Sequence, residues 1–120
     1  MRNMSFAYTT EQVRRQEKTL TSRFGWWFLK PGDLVQPVKK CMGLKKGEKM
    51  QKIGCPIRIV RTHAEPFLAL TQEEVGAEGF PHLSVQEFVR HISKTMKFNP
   101  GKICNRIRFE YTEQIREEKT

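Results

Sequence analysis

An α+β domain, with a small antiparallel β-barrel or curled sheet and two or three short helices, is what this sequence predicts. Three observations point to that class. Strand-like segments are short and gather in the first half and at the C-terminal end. Helical segments, each opened by a capping sequence, are inserted between them. The helices do not alternate regularly with the strands, which argues against a doubly wound parallel sheet. At 120 residues, 38% hydrophobic and 29% charged, the chain can close one modest core without disulfide staples. No repeat or linker divides it, so residues 1–112 read as a single domain and 113–120 as a charged tail.

In chain order, Met4 to Tyr8 alternates loosely and reads as a short strand. Thr9-x-x-Gln12 fits a capping box opening a helix through about Glu17. Lys18 to Arg23 is hydroxyl-rich and extended in preference, and Lys30-Pro31-Gly32-Asp33 is a turn by composition. Leu34 to Cys41 reads as a strand in which Pro37 asks for an edge or a bulge. A basic loop from Met42 to Lys49 follows, then strand-like Gln51 to Ile53 and Ile57 to Thr62. In the latter, Ile57 and Ile59 share a face, but Val60 spoils the polar side. Thr71-x-x-Glu74 and Ser84-x-x-Glu87 are capping boxes, and Gly79 is placed to end the first of these helices. Val85, Phe88, Val89, Ile92 and Met96 form the apolar stripe of the second, which Asn99-Pro100-Gly101 breaks. Ile103, Ile107, Phe109 and Tyr111 belong to a closing strand.

The net charge of +9 is uneven: residues 1–62 carry 14 Lys/Arg against 4 Asp/Glu, and residues 63–120 carry 8 against 9. A basic half beside a near-neutral one predicts an anionic partner, nucleic acid first among them. No apolar run reaches the roughly 20 residues that cross a bilayer, and the N-terminus lacks a secretory core. A cytoplasmic protein without membrane partner is expected. Cys41, Cys55 and Cys104 are odd in number and widely spaced, so reduced, partly buried thiols are expected rather than a disulfide framework. Together with His63, His82 and His91 they lack zinc-site spacing, and neither metal nor cofactor is predicted.

The segment Gln16-Glu17-Lys18-Thr19-Leu20-Thr21-Ser22-Arg23 brings a lysine, hydroxyls and an arginine together. Lys18, Thr21 and Arg23 are candidates to converge on an anionic or polar ligand. A threonine hydroxyl needs a neighbouring base to become a nucleophile, and a desolvated lysine can serve. Three positions is an odd offset on a strand. The arrangement therefore requires Lys18 to lie just ahead of the strand, or a bulge to intervene. Trp26 and Trp27 are candidate apolar walls or stacking platforms. Adjacent residues on a strand face opposite ways, so at most one of them serves, and Trp26 is the candidate.

Among the carboxylates, Glu74 and Glu87 belong to their capping boxes, and Glu11 and Glu17 to the first helix. Glu78 falls in the last turn of its helix, where the macrodipole disfavours negative charge by roughly 0.3–1 kcal/mol. A carboxylate kept there is a candidate for proton transfer. His91, four residues after Glu87, is expected to form an exposed ion pair with it, and His82 lies near Glu78 in sequence. The loop from Lys39 to Lys49 holds five lysines in eleven residues. It lacks the spacing of a triphosphate cradle, which leaves Lys39, Lys40, Lys45 and Lys46 as backbone-phosphate contacts or as a solvated hairpin.

The Gln16–Arg23 segment resembles the signature of ASCH domains, a PUA-like β-barrel family with a pattern of roughly GxKxxExR. Lys18 and Arg23 match; Gln16 replaces the glycine and Thr21 the glutamate. A branch of that family that deacylates N4-acetylcytidine also carries threonine there, within a KTxTxR segment like Lys18–Arg23. The resemblance to that branch implies Lys18, Thr21 and a glutamate after a Leu-Thr helix start, here Leu70-Thr71 and Glu78, as a catalytic set. The stretches GWWFLKPGD, CMGLKKGEK and EEVGAEGF look most like small ASCH-like proteins of bacteriophages and prophages, for which the family supplies no activity. The resemblance thus implies a PUA-like barrel with a cleft between barrel and helix. Two functions follow from it. One is a monomeric module binding RNA, other nucleic acid or a modified nucleoside through Arg23 and the lysines. The other is a metal-independent amidohydrolase acting on an acylated nucleoside.

Overall fold

The computed structural model describes residues 1–41 and 43–114. Its elements follow as β1 (Arg2–Ser5), α1 (Thr10–Arg14), β2 (Leu20–Arg23), β3 (Leu34–Val38), β4 (Ile57–Pro66), α2 (Gln72–Ala77), α3 (Val85–Met96) and β5 (Ile103–Tyr111). The strands form one sheet in the order β1-β3-β4-β5-β2. β1 pairs with β3 in parallel, whereas β3, β4, β5 and β2 pair antiparallel. The α+β class holds, but the sheet is mixed and open. No ladder joins β1 to β2 among the described residues, so the described strands do not close into the expected antiparallel barrel. α1 and β2 lie between β1 and β3 in sequence, a connection long enough to return a strand in the same direction.

Two apolar clusters occupy opposite faces of the sheet. Ile107, Phe109 and Tyr111 of β5 join Met4, Val35, Ile57 and Ile59 in one. Cys104 of β5 joins Leu20, Phe67, Leu70, Val75 and Phe88, from β2 and the helical layer, in the other. The register carries this alternation to β2, where Thr21 pairs with Ile107 and Ser22 with Arg106. β4 changes face partway. Ile59 pairs with Phe109 and Arg61 with Arg108, leaving Val60 as the extra residue of a bulge. One inserted residue inverts the side-chain parity beyond it. Ile57 and Ile59 therefore point into the first cluster, while His63 and Glu65 lie opposite Arg106 and Cys104 on the helix side. The imperfect face read from Ile-Arg-Ile-Val-Arg is this bulge.

Pro37 does not mark an edge strand, since β3 lies between β1 and β4. It is tolerated because the β4 ladder ends at Val35. The Pro37 carbonyl turns to that vacated side and accepts from the Ile53 N–H at 2.9 Å. Gln51–Ile53 contributes a single bridge, Val38 with Lys52, in place of a strand.

Both later capping boxes are present, Thr71 with Glu74 and Ser84 with Glu87, so α2 and α3 begin where the sequence places them. The one proposed at Thr9 is absent: its side chain makes no cap bond. Gln12 turns to the Gly79 carbonyl and Thr10 to that of Phe6. α1 stops at Arg14, and Gln16, at φ 59°, reverses the chain ahead of the expected end. The proposed tail lies, from residue 115 onward, outside the described residues. Cys41 and Cys55 are half-buried free thiols and Cys104 is a buried one. No helix among the described residues is long and apolar enough to cross a membrane.

Candidate functional site

Where β1 and β2 leave the sheet unjoined, a cavity of about 230 Å³ opens under α3. Phe6, Phe67, Phe80 and Phe88 supply apolar wall, and Lys18, Thr21, Ser22, Arg23 and Glu78 supply polar groups. β2 is an edge strand, so side chains from both of its faces reach this hollow.

Lys18 lies two residues ahead of β2, the placement its convergence with that strand requires. The segment around it is pinned on three sides. The Thr19 N–H donates to the Ala77 carbonyl at 2.8 Å, the Lys18 N–H to that of Gln12 at 3.3 Å, and the Tyr111 hydroxyl to the Lys18 carbonyl at 2.5 Å. Glu78 is the C-cap of α2. Gly79 follows with φ 106°, and a Cβ on it would stand 2.8 Å from Gln12 Cγ. Glycine is therefore required for both the turn and the close approach, and it is this approach that sets the end of α2 against Lys18.

Lys18 Nζ donates to Glu78 Oε1 at 2.7 Å and to the Glu78 carbonyl at 2.8 Å. The buried ammonium thus supplies the cation a helix C-terminus favours and neutralises the carboxylate that the dipole disfavours. Ser22 Oγ donates to Glu78 Oε2 at 2.5 Å and accepts from Arg106 Nη1 at 2.6 Å. Arg106 is fully buried and also donates to Glu65 Oε1 at 2.7 Å and to the carbonyls of Pro66 and Phe67. His63 Nε2 lies 3.2 Å from the same Glu65 oxygen. A continuous polar chain therefore runs Glu65–Arg106–Ser22–Glu78–Lys18. Arginine is a permanent donor, so the Ser22 proton is committed to Glu78.

On the other side of β2, Arg23 Nε donates to Thr21 Oγ1 at 3.1 Å and Nη2 to the Ser5 carbonyl at 2.5 Å, which bridges the gap between the two edge strands. The Arg23 guanidinium also lies 4.8 Å from the centre of the Phe6 ring. Burial lowers the Lys18 pKa below the usual lysine value, against the pull of Glu78. Burial likewise brings Arg23 down to about 10, again opposed by Glu78. Burial pushes Glu65 up, but the Arg106 guanidinium and His63 hold it below the ordinary carboxylate range.

Four of the sequence-selected residues, Lys18, Thr21, Arg23 and Glu78, line this one cavity. The others do not. Trp26, at φ 61°, turns the chain out of β2, packs beside the first apolar cluster and lies 5.5 Å from the Phe28 ring. Trp27 is exposed. Lys39 and Lys40 border a separate hollow with Leu44, Glu48, Lys49 and Gln51, where Lys40 pairs with Glu48 at 3.2 Å. Lys45 and Lys46 line neither. The expected Glu87–His91 ion pair is absent, because Glu87 accepts from the Ser84 N–H instead. The described residues hold no cluster of three or more His, Cys, Asp or Glu suited to a metal ion. Sequence reasoning missed Ser22, Arg106 and Glu65. Nothing local singles out Arg106 in a strand that also carries Asn105, Arg108 and Glu110; only the pairing with β2 and β4 buries it.

No family model matches the chain, and no curated protein does. Solved structures do. The crystal structure of protein EF3133 from Enterococcus faecalis V583, of the DUF984 family, superposes with a TM-score of 0.64 at 16% identity, covering 93% of this chain and 76% of that one. An ASCH domain from Lactobacillus crispatus JV V101 superposes with a TM-score of 0.63 at 15% identity, covering 91% and 77%. The open sheet and the helices inserted between its strands are thus those of an ASCH-like fold.

Proposed function

We propose that the chain binds RNA, other nucleic acid or a modified nucleoside, taking a base or nucleoside into the cavity between β1, β2 and α3. The carrying observation is the buried Lys18–Glu78 pair lining an aromatic-walled cavity of about 230 Å³, enough for one planar heterocycle. Three kinds of contact are supplied there. Phe67, Phe80 and Phe88 line the cavity with aromatic walls. Lys18 has spent two of its three N–H bonds on Glu78, leaving one for a ligand acceptor. Thr21 Oγ1 accepts from Arg23, so its own proton is free to donate. The resemblance to ASCH domains and the excess of cations in residues 1–62 support the same reading. Binding of a labelled single-stranded RNA across a salt series tests it. Affinity should fall steeply as salt rises, and no affinity at low salt removes the proposal.

A second reading draws on the lining of one cavity by Lys18, Thr21 and Glu78. As an amidohydrolase on N4-acetylcytidine or a related acylated nucleoside, the Thr21 hydroxyl attacks the acyl carbon. Lys18, in its neutral form, takes the hydroxyl proton, and Glu78 passes a proton to the departing amine; water then cleaves the acyl–threonine ester and releases the free acid. Desolvation lowers the Lys18 pKa, in the direction a base needs. Cytidine release from N4-acetylcytidine decides the matter. Turnover unchanged by Thr21→Ala or by Glu78→Gln overturns these roles.

A further inference from the structure

A second concavity adjoins the cavity along α3, and apart from the shared Phe80 and the capping Glu87 its residues stand outside every role assigned above. Phe88, Ile92 and Met96 face the cavity. The next stripe of the same helix, Glu87, His91 and Lys94, faces the second groove with Arg90, while His82 and Leu83 of the α2–α3 connection close its other side. Phe80 belongs to both hollows and is their shared wall.

The groove is cationic in a half of the chain whose overall balance is near neutral. Arg90 and Lys94 are fixed charges, and His82 and His91 add two imidazoles. None of the four is ion-paired among the described residues, whereas Arg14, Lys18, Lys40, Arg58, Arg106 and Arg108 each are. The one acid on the groove, Glu87, is already held by the Ser84 N–H at the start of α3. Arg90 and Lys94 stand one helical turn apart, about 5–6 Å between Cβ atoms, which suits one phosphate or two neighbouring ones. An aromatic wall shared with a base-sized cavity and a cationic strip beyond it is the layout that splits a nucleotide into base and phosphate.

We infer that this α3 groove is a phosphate site: Arg90 and Lys94, with His82 and His91, hold the phosphate of the nucleotide whose base enters the cavity past Phe80. The inference rests on the binding function proposed above and adds to it where the anionic part lies. It moves the principal backbone contacts from the lysine loop to α3. The phosphate has two sources, a free mononucleotide or the backbone of a strand.

The test uses the full chain and a short fluorescein-labelled single-stranded RNA, read by anisotropy over a salt series. Arg90→Ala/Lys94→Ala changes two exposed helix positions to a strong helix former, so the fold is kept. Affinity should drop at least tenfold at low salt, and the slope of log affinity against log salt should shrink by about 0.7 for the one phosphate lost, or by about 1.4 where the pair spans two. Lys45→Ala/Lys46→Ala is the control and should shift the slope much less. Displacement of the RNA by cytidine 5′-monophosphate and by cytidine separates the sources. A free-phosphate site makes the monophosphate the better competitor in the parent but not in the α3 variant. A backbone site makes the two compete equally while the RNA slope still falls. Unchanged affinity and slope in the α3 variant, or an equal loss in the loop variant, overturns the phosphate site. Binding weakened by Arg23→Gln but untouched by the α3 variant leaves the cavity function standing and removes this site alone. Binding weakened only by the α3 variant leaves an anion site on α3 but removes the cavity function and with it the split of base from phosphate, and no binding by the parent removes both.

Discussion

The two faces of the sheet solve the same packing problem with opposite materials. The face built on Val35, Ile57, Ile59, Ile107 and Phe109 is apolar, and its cohesion is hydrophobic burial, insensitive to pH and to the identity of any one partner. The face toward α2 and α3 buries Arg106 completely and, beside the apolar Leu20, Phe67 and Phe88, threads a chain of charges from Glu65 to Lys18. Buried ion pairs are weak sources of net stability, because desolvation offsets most of the attraction, yet breaking one strands its partner. The contrast teaches where the molecule keeps its chemistry. A face held by shape tolerates wear, and a face held by reciprocal charge is expensive to maintain and is retained beside the cavity.

Removing Arg106 should give the largest effect. Arg106→Ala takes the donor from Ser22 and the Phe67 carbonyl and leaves Glu65 with His63 alone, and should cost about 3–5 kcal/mol in urea unfolding. On the other face, Ile57→Val should cost only about 0.5–1.5 kcal/mol. Equal losses would erase the contrast. The next effect comes from the pair at the cavity. Lys18→Met alone strands Glu78 and should cost about 3 kcal/mol, and adding Glu78→Leu should recover much of it; strict additivity in the double-mutant cycle would show that the two groups are not coupled. Gly79→Ala should cost about 1–3 kcal/mol, because it puts a Cβ on a backbone at φ 106° against Gln12.

The smallest effect is a pH signature. The Glu65 pKa is lowered in the folded chain, so the folded state binds its proton less readily than the unfolded one. Its contribution is present above the unfolded carboxylate value and is lost as pH falls through the folded one. Urea midpoints measured down through the carboxylate range should therefore decline less in Glu65→Gln than in the parent, from a lower starting stability. An identical acid slope would remove Glu65 from the polar chain.

What could be read beforehand follows the range of the forces involved. The capping boxes at Thr71 and Ser84 are written within four residues, and both form. Glu78 was legible because a carboxylate at a helix C-terminus violates a local rule, and the resemblance selected the same position. Thr9 and Gln12 match the same local rule, yet a distant contact with Gly79 claims Gln12. Ser22 was invisible as the partner of Glu78, since Thr21 fits the motif and only the register with β5 decides which hydroxyl turns to the helix side. Glu65 reaches Arg106 only because one bulged residue reverses β4, and the uneven pattern around Val60 was its faint trace. The open seam depends on β1 running parallel to β3, a choice of topology that strand propensities do not encode.

That seam ties folding to occupancy. Bare strand margins attract foreign strands, and here a single guanidinium, reaching from Arg23 to the Ser5 carbonyl, spans the two margins from within. A guest seated beside that strap would brace both at once, raising the melting temperature with its concentration as any molecule held only by the native form does. Heat becomes a way of asking the molecule what it was shaped to hold.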